Sequence, residues 1–237
     1  MDMRPELWVV QLGEVEYTEA LALQERIRDA RQAGAVPDVM LLLEHPRVYT
    51  RGRRSAPGEL SMGEAWYRAQ GIEIVEVNRG GKVTYHGPGQ LVGYPIVAVA
   101  DVVEYVRTLE RGLVEALAQT GIEARARPQD GPDYTGVWVQ ERKIASIGVH
   151  VARGVTTHGF AVNVDNDLEP FSWVVACGLP GVRMTSIAAE LGDAGADAMR
   201  CFRRRAAFCV TEALGRRQRL VSRARLERAL AAVPVPA

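Results

Sequence analysis

The side chains of this 237-residue chain best suited to covalent or proton-transfer chemistry are few: three cysteines, two lysines and four histidines. Cys177 stands out among the thiols. It lies in Val174-Val175-Ala176-Cys177-Gly178-Leu179-Pro180-Gly181, an apolar run broken by glycine and proline, which sets a thiol at the end of an element beside a turn. A cysteine with an ordinary pKa near 8.5 is about 3% thiolate at pH 7, and a drop of about two units, worth roughly 2.7 kcal/mol, makes it mostly thiolate. One ammonium about 4 Å away, at an effective dielectric of about 20, supplies on the order of 4 kcal/mol before desolvation is subtracted. Of the 29 basic side chains only Lys82 and Lys143 are lysines, so a titratable amine is kept at two places in a chain that otherwise uses arginine. Lys143 opens the strand-like Ile144-Ala145-Ser146-Ile147-Gly148-Val149-His150, where a side chain can point across the end of a sheet into a cleft. Position alone leaves a solvated turn lysine as the commoner alternative, and a buried structural cysteine remains an alternative for Cys177.

The second concentration of chemistry is Arg79-Gly80-Gly81-Lys82-Val83-Thr84-Tyr85-His86-Gly87-Pro88-Gly89-Gln90, directly after the apolar run Ile72 to Val77. Glycine at this density lets a backbone approach a ligand closely, while Arg79, Lys82 and His86 supply polar handles. The segment is neither a P-loop, because Lys82 lacks the following Ser or Thr and the spacing, nor G-x-G-x-x-G. No G-x-S-x-G elbow supports a serine nucleophile. Histidine is the familiar alternative base. His45, before Pro46, and His150, in an alternating strand, read as structural; His86, carried by the glycine-rich loop, competes with Lys143, and His158 is also available.

These residues need elements to position them. Leu7 to Leu12 reads as a strand, and Thr18 as the cap of a helix carrying Leu23, Ile27 and Ala30 and stopped by Gly34. Val39 to Leu43 is a short buried strand. Asp101 and Glu104 open a second helix with Val102, Val106, Leu109, Leu113 and Leu117 on one face and Gly121 at its end. Leu91 to Val99 is a buried strand interrupted by Pro95. Gly136 to Val139, Ile144 to Val151 and Thr156 to Val164 are β-rich runs joined by connectors of about four residues, which forces antiparallel neighbours. The fold class is therefore α+β, a mostly antiparallel mixed sheet flanked by helices, within one domain over 1–237 whose part from about 194 is helical and arginine-rich. Cys201 and Cys209 fall in one helix about 12 Å apart, too far for a disulfide, and read as small buried hydrophobes.

Composition narrows the function classes. Acidic and basic side chains both number 29, which argues against a general nucleic-acid binder, and three cysteines without C-x-x-C spacing suggest neither a disulfide framework nor a zinc site. No run of 18 apolar residues is present, and Met1 to Glu6 already carries Asp2, Arg4 and Glu6, so a cytoplasmic location is expected.

Taken together, the twelve-residue loop, Lys143-Ile-Ala-Ser-Ile-Gly148, Gly159-Phe-Ala-Val-Asn163 and Cys177-Gly178 closely resemble the octanoyltransferases (lipoyl(octanoyl) transferases) that begin protein lipoylation, in order from about Leu41 to Ile187. The resemblance implies the fold of biotin and lipoate protein ligases. It also implies transfer of octanoyl from octanoyl-acyl carrier protein to a lysine of lipoyl domains, those of 2-oxoacid dehydrogenase complexes and the glycine cleavage H protein, as the first step of endogenous lipoate assembly. Carried over residue by residue, Cys177 would be the acyl-thioester nucleophile and Lys143 the residue that lowers its pKa. Arg79, Gly80, Gly81, Lys82, Val83, Thr84, Tyr85 and His86 would line the acyl site with Ser146, Ile147, Gly148, Gly159, Phe160 and Ala161. No cofactor or metal is implied. The family usually has proline before the cysteine, and here Ala176 stands there; this removes a fixed φ but no reactive group. Lys82 and His150 are not carried over as catalytic. Backbone N–H groups near Gly178 or in the Arg79 loop would form the oxyanion hole. The competing readings are an ATP-dependent lipoate or biotin ligase, a thioesterase using the same cysteine, and a non-catalytic acyl-binding module. Arg203, Arg204 and Arg205 suggest a docking patch for an acidic carrier or, equally, a solvated helix face.

Overall fold

The computed structural model describes residues 3–56, 58–174, 181–193 and 195–232. Strand β1 (Glu6–Glu14), helix α1 (Tyr17–Gln32) and β2 (Asp38–Glu44) form a parallel crossover unit, followed by β3 (Val48–Arg51), α2 (Glu64–Ala69), β4 (Glu73–Glu76), β5 (Thr84–His86) and β6 (Gln90–Ile96). Next come α3 (Val102–Ala118), β7 (Arg125–Ala126), β8 (Gly136–Val139), β9 (Arg142–Ala152) and β10 (Val155–Asn163). The chain ends with β11 (Arg183–Met184), α4 (Ile187–Leu191), α5 (Ala198–Ala213), β12 (Arg217–Leu220) and α6 (Arg223–Ala231). A nine-stranded sheet runs β12-β1-β2-β6-β10-β9-β8-β7, with β11 paired to β9, and a small sheet runs β4-β3-β5. Within the large sheet β1 is parallel to both β12 and β2, and β9 to β11; the remaining pairs are antiparallel, as the short connectors require.

Alternation along the central strands fills two cores. Leu7, Val9, Met40 and Leu42 face α3 and α5, meeting Leu109, Leu113, Phe202 and Val210, while Trp8, Val10, Leu41 and Leu43 face α1 and α6, meeting Leu23, Ile27, Leu226 and Leu230. Each fully buried aliphatic side chain of this kind contributes about 1.5–3 kcal/mol. Gly112 sets the approach of α3 to α5, since a Cβ there would lie 2.9 Å from Val210 Cα. The β8–β9–β10 meander is tighter than the expected connectors: the turns are Gln140–Glu141 and Arg153–Gly154, with positive φ at Gln140 and at both residues of the second turn, the geometry of a type I′ hairpin. Pro95 lies inside β6, beyond Gly93, where the registered pairing with β10 ends; Thr156 Oγ1 donates to Pro95 O at 2.7 Å and accepts Val97 N–H at 2.9 Å there.

Several expectations are corrected. Helix α1 begins one residue before Thr18, its N-cap is Glu16 and no side chain caps it, whereas Asp101 does cap α3 by accepting from Val103 N and Glu104 N. Val102 and Val106 do not join the buried face of α3, because the first turn overhangs a cavity. The C-terminal part is not all helix: β12 adds to β1 through the backbone, although its side chains are largely exposed. Of the two cysteines of α5, Cys201 is exposed and Cys209 is buried, where burial pushes its thiol up. Arg203 pairs with Glu44 at 2.8 Å, so it does not stand with Arg204 as a free surface patch. Among the described residues no helix is long and apolar enough to cross a membrane.

Asp38 fastens the edge of this architecture. It is 3% exposed, and its two carboxylate oxygens accept Arg31 Nε–H at 2.7 Å, Arg216 Nε–H at 2.8 Å and Ala98 N–H at 3.2 Å, tying the end of α1, the approach to β12 and the loop after β6 to one point. Removing one partner of such a buried cluster strands the others, so Asp38→Ala is expected to lower unfolding free energy by about 3 kcal/mol in urea denaturation. A loss below about 1 kcal/mol would show that the cluster is solvated.

Candidate active site

One cavity of about 540 Å³ opens between the glycine-rich loop, the start of α3 and the faces of β9 and β10. Its size suits a ligand of drug-like dimensions. The loop reaches the wall because Gly80 N–H donates to Val149 O at 2.9 Å, which lays the loop along β9. Arg79 holds it down from the other side: its buried guanidinium donates to Thr50 O at 2.8 Å, Thr50 Oγ1 at 2.6 Å and Gly80 O at 3.0 Å. Gly52 fits beneath, where a Cβ would lie 2.5 Å from Gly81 O.

The residues singled out from the sequence converge here in part. Arg79, Gly80, Gly81, Lys82, Thr84 and His86 line the cavity with Lys143, and so do Ser146, Ile147, Gly148, Gly159, Phe160 and Ala161. Val83 and Tyr85 do not: strand alternation turns them into the core of the small sheet with Tyr49 and Phe171. Cys177 and Ala176 lie outside the described residues. Of the loop's backbone donors, Gly80 N–H is spent on Val149 O and Val83 N–H on Glu59 at 3.2 Å, so neither serves an oxyanion.

Lys143 is 2% exposed yet stands in the cavity wall. Gly136, at the start of β8 and paired with Ser146, has φ of +134°, and a Cβ there would lie 2.8 Å from Lys143 Cε and 2.3 Å from Ala145 O, so only glycine leaves room for the lysine stem. Glu110 of α3, itself buried, accepts Gly136 N–H at 2.9 Å and Arg107 at 2.6 Å, fixing that turn. On the far side Met184 of β11 pairs with Lys143, and Thr185 N–H donates to Lys143 O at 3.0 Å.

The polar part of the cavity is built from neutral imidazoles and phenols. His86 is held near pKa 3, first by burial and then by the proximity of His45; its Nδ1–H donates to Gln90 Oε1 at 2.7 Å, and Gln90 in turn donates to Asn163 at 2.9 Å. Burial holds His158 near 3 and His45 near 4. His158 Nε2–H donates to Asn78 Oδ1 at 2.9 Å, while His45 donates to Val15 O at 2.6 Å and takes Tyr94 O–H at 2.8 Å. His158 has φ of +58°, an uncommon backbone for a non-glycine residue, and its N–H donates to Gln24 at 2.7 Å. His86 is thus neutral and far from the ideal basicity for proton transfer at pH 7, which weakens it against Lys143 as the base.

Tyr17, Tyr94, Val102 and Val106 also line the cavity and were not read as site residues. Tyr94 carried a signal, a phenol inside an otherwise apolar run, which needs a polar partner when buried. Tyr17 and the two valines carried none, since helical spacing alone does not say that a first turn overhangs a cavity. Among the described residues no cluster of His, Cys, Asp or Glu could hold a metal ion.

Residues 16–201 match the lipoyl protein ligase A/B catalytic domain family. An octanoyltransferase of Solibacter usitatus is 50% identical over 173 residues, covering 71% of this chain and 77% of that protein, and one of Mycobacterium tuberculosis is 48% identical over 190 residues, covering 78% and 77%. In fold, the chain is similar to a lipoate-protein ligase A solved with ATP, with a TM-score of 0.75 at 20% identity over 95% of this chain and 92% of that one. It is also similar to the biotin protein ligase of Aquifex aeolicus, with a TM-score of 0.52 at 16% identity over 87% and 68%. By sequence match, the chain belongs to the lipoyl protein ligase A/B catalytic domain family, together with the octanoyltransferases it resembles.

Proposed function

We propose that this enzyme is an octanoyltransferase that moves an octanoyl group from acyl carrier protein to a lysine of a lipoyl domain through a thioester on Cys177. The observation that carries the reading is Lys143, one of two lysines in the chain, almost wholly buried and yet in the wall of a cavity lined by the glycine-rich loop.

In the first half-reaction the Cys177 thiolate attacks the donor thioester carbonyl. A new C–S bond forms, the bond to the pantetheine sulfur breaks, and the Lys143 ammonium gives that sulfur a proton. One thioester replaces another, so no nucleotide is consumed. In the second, Lys143, now an amine, takes a proton from the acceptor lysine, which near pKa 10.4 is otherwise almost entirely protonated at pH 7. The freed amine attacks the acyl-enzyme, an amide C–N bond forms as the C–S bond to Cys177 breaks, the attacking nitrogen gives its second proton to solvent, and the Cys177 thiolate leaves beside the restored ammonium. The apolar lining from Val102, Val106, Ile147 and Phe160 suits the alkyl chain. Acceptors would include lipoyl domains of 2-oxoacid dehydrogenase complexes and the glycine cleavage H protein, and the reaction belongs in the cytoplasm with its donor.

Transfer from octanoyl-acyl carrier protein to a lipoyl domain is expected without ATP, with Lys143→Ala lowering kcat at least 10²-fold; a requirement for ATP and free octanoate would instead make the chain a ligase. The histidine cluster gives the acid behaviour a definite sign. His86 and His158, near 3, and His45, near 4, stay neutral in the fold, while the unfolded chain protonates them below about pH 6.5. Their contribution is absent above pH 6.5, and stability falls as pH drops from there toward 4, by up to about 1.4 kcal/mol per unit for each histidine. Urea midpoints at pH 7 and pH 5 should differ accordingly, less so in His86→Gln; equal midpoints would mean that the imidazoles are solvated.

A further inference from the structure

The proposed chemistry asks Lys143 to hold an ammonium in one half-reaction and surrender its proton in the next, within a wall where burial by itself disfavours charge. The inference drawn here rests on that role. Two residues along β8 from the gap at Gly136, Trp138 is 1% exposed and presents its ring to the lysine, with Nζ 5.3 Å from the ring centroid. We infer that Trp138 is a positioning residue whose indole face stabilises the Lys143 ammonium and thereby governs how readily its proton passes to the leaving sulfur.

The geometry satisfies what a cation–π contact demands. The separation is inside the roughly 6 Å at which the ring quadrupole attracts a cation, tryptophan offers the strongest such face, and the contact gains when both partners are removed from water. The ring is fixed in place: its Nε1–H donates to Tyr134 O at 2.9 Å, and the Arg127 guanidinium lies 5.1 Å from its centroid and 4.8 Å from that of Tyr134. The charged groups around this pair come from several elements. Glu110 of α3 is bound to Arg107, Arg127 to Asp130 and Glu141, and Arg142 to Glu190 of α4; Arg183 of β11 lies beside Arg142 in the register. Glu110, Glu141 and Glu190 are each engaged by a guanidinium, as is Asp133 of the same cavity lining by Arg54 at 3.0 Å, and the indole face is turned to the amine.

The presence of only two lysines makes the test direct. Protein labelled with carbon-13 lysine gives two ε-carbon signals, assigned by Lys82→Arg, and each is titrated in wild type, Trp138→Phe and Trp138→Leu. The Lys143 signal is expected to titrate about one pH unit lower in Trp138→Leu, a tenfold change equivalent to about 1.4 kcal/mol, and by a smaller step in Trp138→Phe, with the Lys82 signal unmoved. Unchanged or raised midpoints in the folded variants overturn the inference. If Trp138→Leu does not fold, Trp138→Phe decides alone, a drop of about half a unit supporting the role and no drop removing it. No substrate enters this measurement, so a chain that fails to transfer octanoyl yet shows the shift would refute the proposed reaction and leave the Trp138 contact standing.

Discussion

Burying a charged amine costs several kcal/mol unless its surroundings return the stabilisation, and Lys143 is nearly inaccessible while facing a cavity. The local architecture answers to that constraint. Gly136 supplies the space, Trp138 the polarisable face, Glu110 the anchor that holds the turn, and β11 the second strand that fixes the lysine backbone. A flexible surface lysine would need none of these. Here the stem runs over a glycine held at positive φ.

The large sheet is the means by which distant residues meet this amine. Strand β9 contributes Lys143 and then, farther along, the Ser146 to Gly148 wall; antiparallel β10 returns Gly159 to Ala161 and His158 alongside; β6 adds Tyr94. The glycine-rich loop closes over them because Gly80 bonds to β9 and Arg79 is clamped to Thr50 of β3, joining the small sheet to the large one. The cavity lining combines the imidazoles of His86 and His158 and the phenols of Tyr17 and Tyr94 with the valines of α3 and Phe160. Neutral histidines there provide fixed hydrogen-bonding groups that carry no charge of their own.

Much of this was legible in the chain before folding. The loop announced itself by glycine density, Lys143 by the scarcity of lysine, and the β8–β10 meander by connectors too short for a crossover. The cap at Asp101 was readable for the same reason, since side-chain capping is a local interaction. What escaped depends on packing at long range. Strand β12, Arg217 to Leu220, has no alternation and is held by the backbone of β1. Val102 and Val106 obey helical periodicity, but the helix overhangs a cavity there. Val83 and Tyr85 sit inside the glycine-rich signature and still face the opposite core, because strand geometry, not motif membership, decides which way a side chain turns. Arg203 was drawn into an apparent patch by its neighbours in sequence, and only the fold reveals its partner, Glu44.

The proposed reaction is covalent: the acyl group would pass through Cys177 under the influence of Lys143. Intact mass after brief incubation with octanoyl-acyl carrier protein and an acid quench tests it most directly. The account predicts a gain of one octanoyl group on the wild-type chain that disappears in Cys177→Ala and forms more slowly in Lys143→Ala. An adduct of equal yield in Cys177→Ala, or none on a wild-type chain that still carries out transfer, would contradict it.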